Sequence, residues 1–163
     1  MPGPTHSDDP HISHVRVRYA ECDPMNVAHH ASYVAWLELA RTEMLRNCGT
    51  AYADLERAGV LLMVVRLDIR YRRPAAYDDV LAIETRVDSV GRARLAHAYR
   101  VLVVESGGEP IEPRLAAEAR VELACCGRDG RPRPLPESLA PPAKGSEHRG
   151  SGEPGLPGPT AET

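Results

Sequence analysis

Phenylalanine is absent from these 163 residues, Trp36 is the one tryptophan, and aromatics make up 4% of the chain. Beside plentiful Ala, Arg, Gly and Pro, that bias points to a GC-rich genome rather than to a function. Long apolar runs are also missing. The longest aliphatic stretch covers residues 60–65, whereas a helix that crosses a bilayer takes about 20 apolar residues. The first fourteen residues are polar and rich in Pro and His, unlike a secretory leader. Cys22, Cys48, Cys125 and Cys126 show no C-x-x-C spacing, which argues against a zinc knuckle or a redox pair. Neighbouring Cys125 and Cys126 are poorly placed to bridge each other. These features predict a reduced, cytoplasmic protein. The formal net charge of -3 lacks the basic excess of a nucleic-acid binder.

What is present suffices for one domain. Hydrophobic residues make up 42% of the chain, enough for a core at this length. Residues 14–20 alternate Val15, Val17 and Tyr19 with His14, Arg16 and Arg18, the period-2 pattern of a half-buried strand. Pro24 breaks the turn-like stretch that follows. A helix is predicted next, with Ser32 as N-cap. Its apolar face is Tyr33, Leu37, Ala40 and Met44, widened by Val34, Trp36 and Leu45. Gly49 suits the left-handed residue that ends such a helix, and Thr50 can cap a second, shorter one stopped by Gly59.

From Val60 the period returns to two. Runs at 65–71, 80–88, 92–104 and 115–125 read as strands, separated by Pro74, by Ser89-Val90-Gly91 and by Ser106-Gly107-Gly108. Short connections favour antiparallel neighbours, and one amphipathic helix needs a sheet to cover it. The expectation is an α+β domain over 13–126, with a curved antiparallel sheet of about five strands around the long helix. Residues 1–12 read as a disordered lead and 127–163 as a disordered Pro/Gly-rich tail.

The chemistry concentrates between Tyr19 and Tyr33. Asp23 lies in an irregular loop just before the long helix, whose start supplies unpaired N–H groups and a positive dipole end. Such N–H groups can polarise a carbonyl, and a carboxylate facing it can attack or activate water. On its own, an Asp before Pro is more commonly turn chemistry. His29 and His30 lack a third ligand, so no metal is assigned. His97, inside a strand, reads as a core or interface residue.

The segment RYAECDPMNVAHHASYVAWLELARTEMLR resembles the 4-hydroxybenzoyl-CoA thioesterase family, and its YbgC-like members in particular. Tyr19, Asp23, His30, Tyr33, Glu38, Ala40, Arg41 and Glu43 match that pattern in register, and RYRRPAAYDDV resembles a later strand and turn. The resemblance implies the hot-dog fold and hydrolysis of an acyl thioester, carried by coenzyme A or an acyl-carrier protein, without a cofactor. It implies Asp23 as the catalytic carboxylate, nucleophile or general base, and a backbone amide at His30 that polarises the carbonyl, with Tyr19 and the His30 ring assisting. It places Asn26, His29, Tyr33, Glu38, Arg92 and Arg94 against the substrate. It further implies a homodimer or homotetramer with active sites at subunit interfaces. Met25 and Asn26 stand where many such sequences have two glycines, and His29 where Tyr is common. Arg66, Arg70, Arg72 and Arg73 are further candidates for the coenzyme phosphates, or simply solubilising side chains on exposed strands. Two other readings stay open: a dehydratase or polyketide-releasing enzyme of the same fold, and an acyl-CoA-binding dimer without catalysis.

Overall fold

A computed structural model describes residues 9–139; residues 1–8 of the expected lead and 140–163 of the expected tail lie outside them. The described residues form β1 (His11–Arg16), a 3₁₀ turn (Tyr19–Glu21), α1 (Ser32–Asn47), α2 (Tyr52–Arg57), β2 (Leu61–Tyr71), β3 (Val80–Val90), β4 (Arg94–Ser106) and β5 (Glu109–Cys126). The strands make one antiparallel sheet in the order β1-β3-β4-β5-β2.

The sheet packs its helix-facing side on α1, the hot-dog arrangement. Leu81 and Ile83 of β3, Tyr99, Val101 and Val103 of β4, and Val121 and Leu123 of β5 meet Tyr33, Trp36, Leu37 and Ala40. Leu37 is 1% exposed; truncating such a leucine to Ala costs about 2–5 kcal/mol. The helix buries Arg41 along with its apolar stripe, while Val34 faces outward, so the apolar face is narrower than predicted. His97 is buried in the helix–sheet interface, as its strand position implied.

Several boundaries differ from expectation. β1 starts earlier and stops at Arg16, because Val17 turns its backbone to the β2–β3 connection: its N–H donates to Asp79 O at 2.9 Å, and its carbonyl accepts Asp78 N–H at 3.0 Å. Ser32 is not the N-cap. Ala31 holds that position, and the Ser32 hydroxyl donates instead to Glu21 O at 2.9 Å. Likewise Ala51, not Thr50, precedes α2. β5 begins six residues before the predicted Leu115. Pro110 and Pro113 are tolerated there because β2 pairs only with residues 117–126, leaving the start of β5 with one neighbour. Gly107 and Gly108, both at positive φ, form the two-residue turn from β4.

The expected tail is folded through residue 139. The Arg133 N–H donates to Cys125 O and the Leu135 N–H to Arg92 O. Leu135 and Leu139 are buried against the core. Low apolar content hid this, since two leucines four residues apart suffice to dock a proline-rich strap that needs few ladder hydrogen bonds.

Candidate active site

Asp23 sits on a miniature hairpin. Cys22 pairs with Ala28, the Asp23 N–H donates to Val27 O, and the Asn26 N–H donates to Asp23 O, both at 2.9 Å. Asn26 takes φ 61°, the left-handed residue that closes a three-residue hairpin loop. Asn adopts it at low cost, which is why the loop does without glycine here. Asp23 Oδ1 accepts the Met25 N–H at 2.8 Å. The turn chemistry of an Asp-Pro is thus real, yet it uses one carboxylate oxygen and leaves Oδ2 without a partner among the described residues.

The hairpin neck lies against the start of α1. The His29 N–H donates to Glu21 O at 2.8 Å. His29 Nδ1 accepts the Ala31 N–H at 3.2 Å, and its ring lies 4.0 Å from that of His30. The His30 N–H has no hydrogen-bond partner among the described residues, whereas its carbonyl accepts the Tyr71 hydroxyl at 3.0 Å. An unbonded amide beside a helix N-terminus is the arrangement that stabilises an oxyanion.

Asp23 and His30 share an open cleft of about 290 Å³ with Ala28, Tyr33, Tyr71, Arg72, Arg73 and Pro74. Tyr33 is buried, edge-on to Tyr71 at 5.1 Å and 4.9 Å from Trp36. Burial pushes the pKa of both tyrosines up, so each stays a neutral phenol at physiological pH.

The structure therefore brings Asp23, His30 and Tyr33 together and separates the others. Tyr19 is 79% exposed and packs edge-on against Tyr77 at 5.8 Å, outside the cleft. Asn26 shapes the hairpin tip. His29 supports the backbone beside His30. Glu38 is exposed on α1, 3.5 Å from Arg41. Arg94 pairs across the sheet with Ala124, whereas Tyr71 pairs with Ala117. Seven residues of β5 separate those rows, about 24 Å, so Arg92 and Arg94 lie at the far end of the chain's own sheet.

Most outward-facing arginines are spent on carboxylates: Arg66 on Asp68, Arg72 on Glu118, Arg100 on Glu84, and Arg120 on Asp88. Arg73, on the cleft, has no carboxylate partner among the described residues. Sequence reasoning missed Tyr71 as a site residue. Its one signal was an aromatic at the last strand position before the Arg72-Arg73-Pro74 turn.

Residues 17–142 match the model of the thioesterase-like superfamily. The acyl-CoA thioester hydrolase YbgC of Escherichia coli O6:H1 is 36% identical over 126 residues, 77% of this chain and 89% of the relative. Among solved structures, a probable thioesterase from Bartonella henselae is 30% identical, with a TM-score of 0.70 over 78% of this chain and 99% of that one. A DHNA-CoA thioesterase from Staphylococcus aureus is 31% identical, with a TM-score of 0.66 over 76% of this chain and 78% of that one.

Proposed function

On the premise that this chain belongs to the thioesterase-like superfamily, as a YbgC-like hydrolase of acyl-CoA thioesters, we propose that Asp23 and the His30 amide are the two poles of its active site. The observation that carries this reading is a His30 N–H and an Asp23 carboxylate oxygen in one cleft, both without a partner among the described residues.

The thioester carbonyl lies with its oxygen toward the His30 amide. Asp23 either attacks the carbonyl carbon directly or takes a proton from the water that does. Negative charge collects on the carbonyl oxygen and is held by the amide and the helix end. The C–S bond then breaks, the thiolate leaves and takes a proton, and free acid remains after water has entered. Oxygen-isotope transfer into Asp23 in a single turnover separates the covalent route from general-base attack. The His30 ring, at the mouth, orients the acyl group.

Tyr33 and Tyr71 line the wall against which the acyl or pantetheine portion rests. Arg73, without a carboxylate partner among the described residues, meets a coenzyme phosphate. β2 is a sheet edge whose Met63, Val64, Val65, Leu67 and Tyr71 are exposed. Such an edge is a template for pairing, and a two-fold antiparallel β2–β2 contact makes a homodimer. That contact brings one chain's far sheet end toward its partner's cleft, so the partner subunit's Arg92 and Arg94 complete the coenzyme site. Glu38, exposed on α1, is then available to the interface. All four cysteines are free, in keeping with a cytoplasmic location; among the described residues no helix is long and apolar enough to cross a membrane.

The test is an acyl-CoA panel with free-thiol detection, comparing wild type with Asp23→Asn. Turnover by wild type and a loss of at least a hundredfold in the variant is the expected result. A fully active variant overturns the assignment of Asp23.

A further inference from the structure

We propose that Glu21 is the positioning residue that locks the Asp23 hairpin to α1 through Trp36; this rests on the catalytic reading of Asp23 given above. Glu21 is two residues before Asp23, and its side chain is 10% exposed. The carboxylate accepts three hydrogen bonds: from the Arg18 N–H at 2.8 Å, from the Arg18 guanidinium at 2.6 Å, and from the indole N–H of Trp36 at 3.0 Å. Its own carbonyl accepts two more, from the His29 N–H at 2.8 Å and from the Ser32 hydroxyl at 2.9 Å. One residue thus joins four points: the turn before the hairpin, the hairpin neck, the first residue of α1, and its second turn.

The geometry explains why this matters for chemistry. The two poles of the site sit on different sides of the hairpin neck, Asp23 on the outgoing strand and His30 just past the returning one. Their separation depends on where the neck rests against α1. Backbone bonds at the neck close the hairpin, and among the described residues the Glu21 carboxylate is the hairpin-side group that hydrogen-bonds to the buried second turn of the helix. Burial alone would push the carboxyl pKa up; the hydrogen bonds from Arg18 and Trp36 more than offset it and hold the group below its ordinary range. Glu21 is therefore a carboxylate at neutral pH, the form that accepts from all three donors. Trp36 is held in turn by packing on Tyr33, itself a wall of the cleft.

Trp36 is the sole tryptophan, so its emission reports on this bond directly. The experiment compares Glu21→Gln, Glu21→Ala and Trp36→Phe with wild type in acyl-CoA hydrolysis and fluorescence. Glu21→Ala is expected to lower kcat at least tenfold with KM within twofold, and to shift the Trp36 emission maximum. Glu21→Gln, which keeps one acceptor for the indole, is expected to fall between. Combining Glu21→Ala with Trp36→Phe is expected to lose no more than the worse single variant, because the two act through one bond. A kcat within twofold of wild type in folded Glu21→Ala overturns the proposal, as does full additivity with Trp36→Phe. If wild type itself cleaves no acyl thioester, the functional reading fails first. Hydrogen exchange then tests the lock alone: faster exchange over residues 19–31 in Glu21→Ala supports it, and unchanged exchange overturns it.

Discussion

The Tyr71 hydroxyl donates to the carbonyl of His30 at 3.0 Å, so the last residue of β2 holds the backbone of the residue whose amide is proposed to meet the substrate. The two residues are 41 positions apart, and the bond exists because the edge strand ends where α1 begins. Tyr71→Phe is expected to lower kcat several-fold while costing only about 1 kcal/mol of stability, the usual net worth of one such bond. Thiol-release kinetics and chemical denaturation of the same samples check it; an unchanged kcat would show that the His30 backbone needs no such support.

Asn26 at φ 61° gives a prediction about the hairpin that carries Asp23. Asn26→Gly is expected to keep both fold and activity. Asn26→Val forces a β-branched residue into the left-handed region, which costs about 1–2 kcal/mol, and displaces Asp23. Melting temperature and kcat should both fall for valine and neither for glycine.

His97 makes stability depend on pH. Burial, aided by the Arg41 charge, lowers its pKa from 6.5 to about 4. The folded state thus keeps a neutral imidazole where the unfolded chain binds a proton. Stability is full above pH 6.5 and is lost as pH falls from there toward 4, by about 3 kcal/mol in all at 1.4 kcal/mol per pKa unit. Denaturation curves at pH 7, 5.5 and 4.5 should steepen this loss in wild type relative to His97→Leu. Parallel losses in both proteins would assign the effect to other groups.

The strap through residue 139 is expected to be structural. Leu135→Ala and Leu139→Ala each remove a buried side chain and should destabilise by about 2–3 kcal/mol, read by denaturant midpoint. Stability within 0.5 kcal/mol of wild type would mean that the strap is not docked in solution.

The exposed edge of β2 bears on assembly. Leu67→Arg places a charge in the row expected to face a second copy. If the proposed dimer forms, sedimentation should change from dimer to monomer, with kcat falling together with it, since the partner subunit's Arg92 and Arg94, proposed to complete the coenzyme site, are then missing. A monomeric wild type with full activity would refute the interfacial site.

Local pattern carried much of this protein. Alternation in residues 80–88 marked a strand because one face, with Leu81, Ile83 and Thr85, is buried; alternation in 65–71 marked one too, although its Val65, Leu67 and Tyr71 stay exposed at the sheet edge. The spacing of Tyr33, Leu37, Ala40 and Met44 marked α1 because a helix repeats every 3.6 residues. The stretch from Tyr19 to Tyr33 pointed to Asp23 and His30 together. Boundaries fared less well, since Ser32 and Thr50 have the chemistry of caps yet lost that role to the backbone path: the Ser32 hydroxyl found Glu21 O instead.

What the sequence by itself determined, then, is the order of elements, the helix–sheet core and the acid with its neighbouring helix start, all set by short-range periodicity and turn chemistry. Only the tertiary structure decided which side chains share the cleft. Tyr71 enters it and Tyr19 leaves it because the sheet order sets β2 at one edge, beside the start of α1. It also decided that, among the described residues, Arg72 is paired with a carboxylate and Arg73 is not, and that Leu135 and Leu139 return to the core. These outcomes rest on contacts between residues tens of positions apart, which no local period encodes.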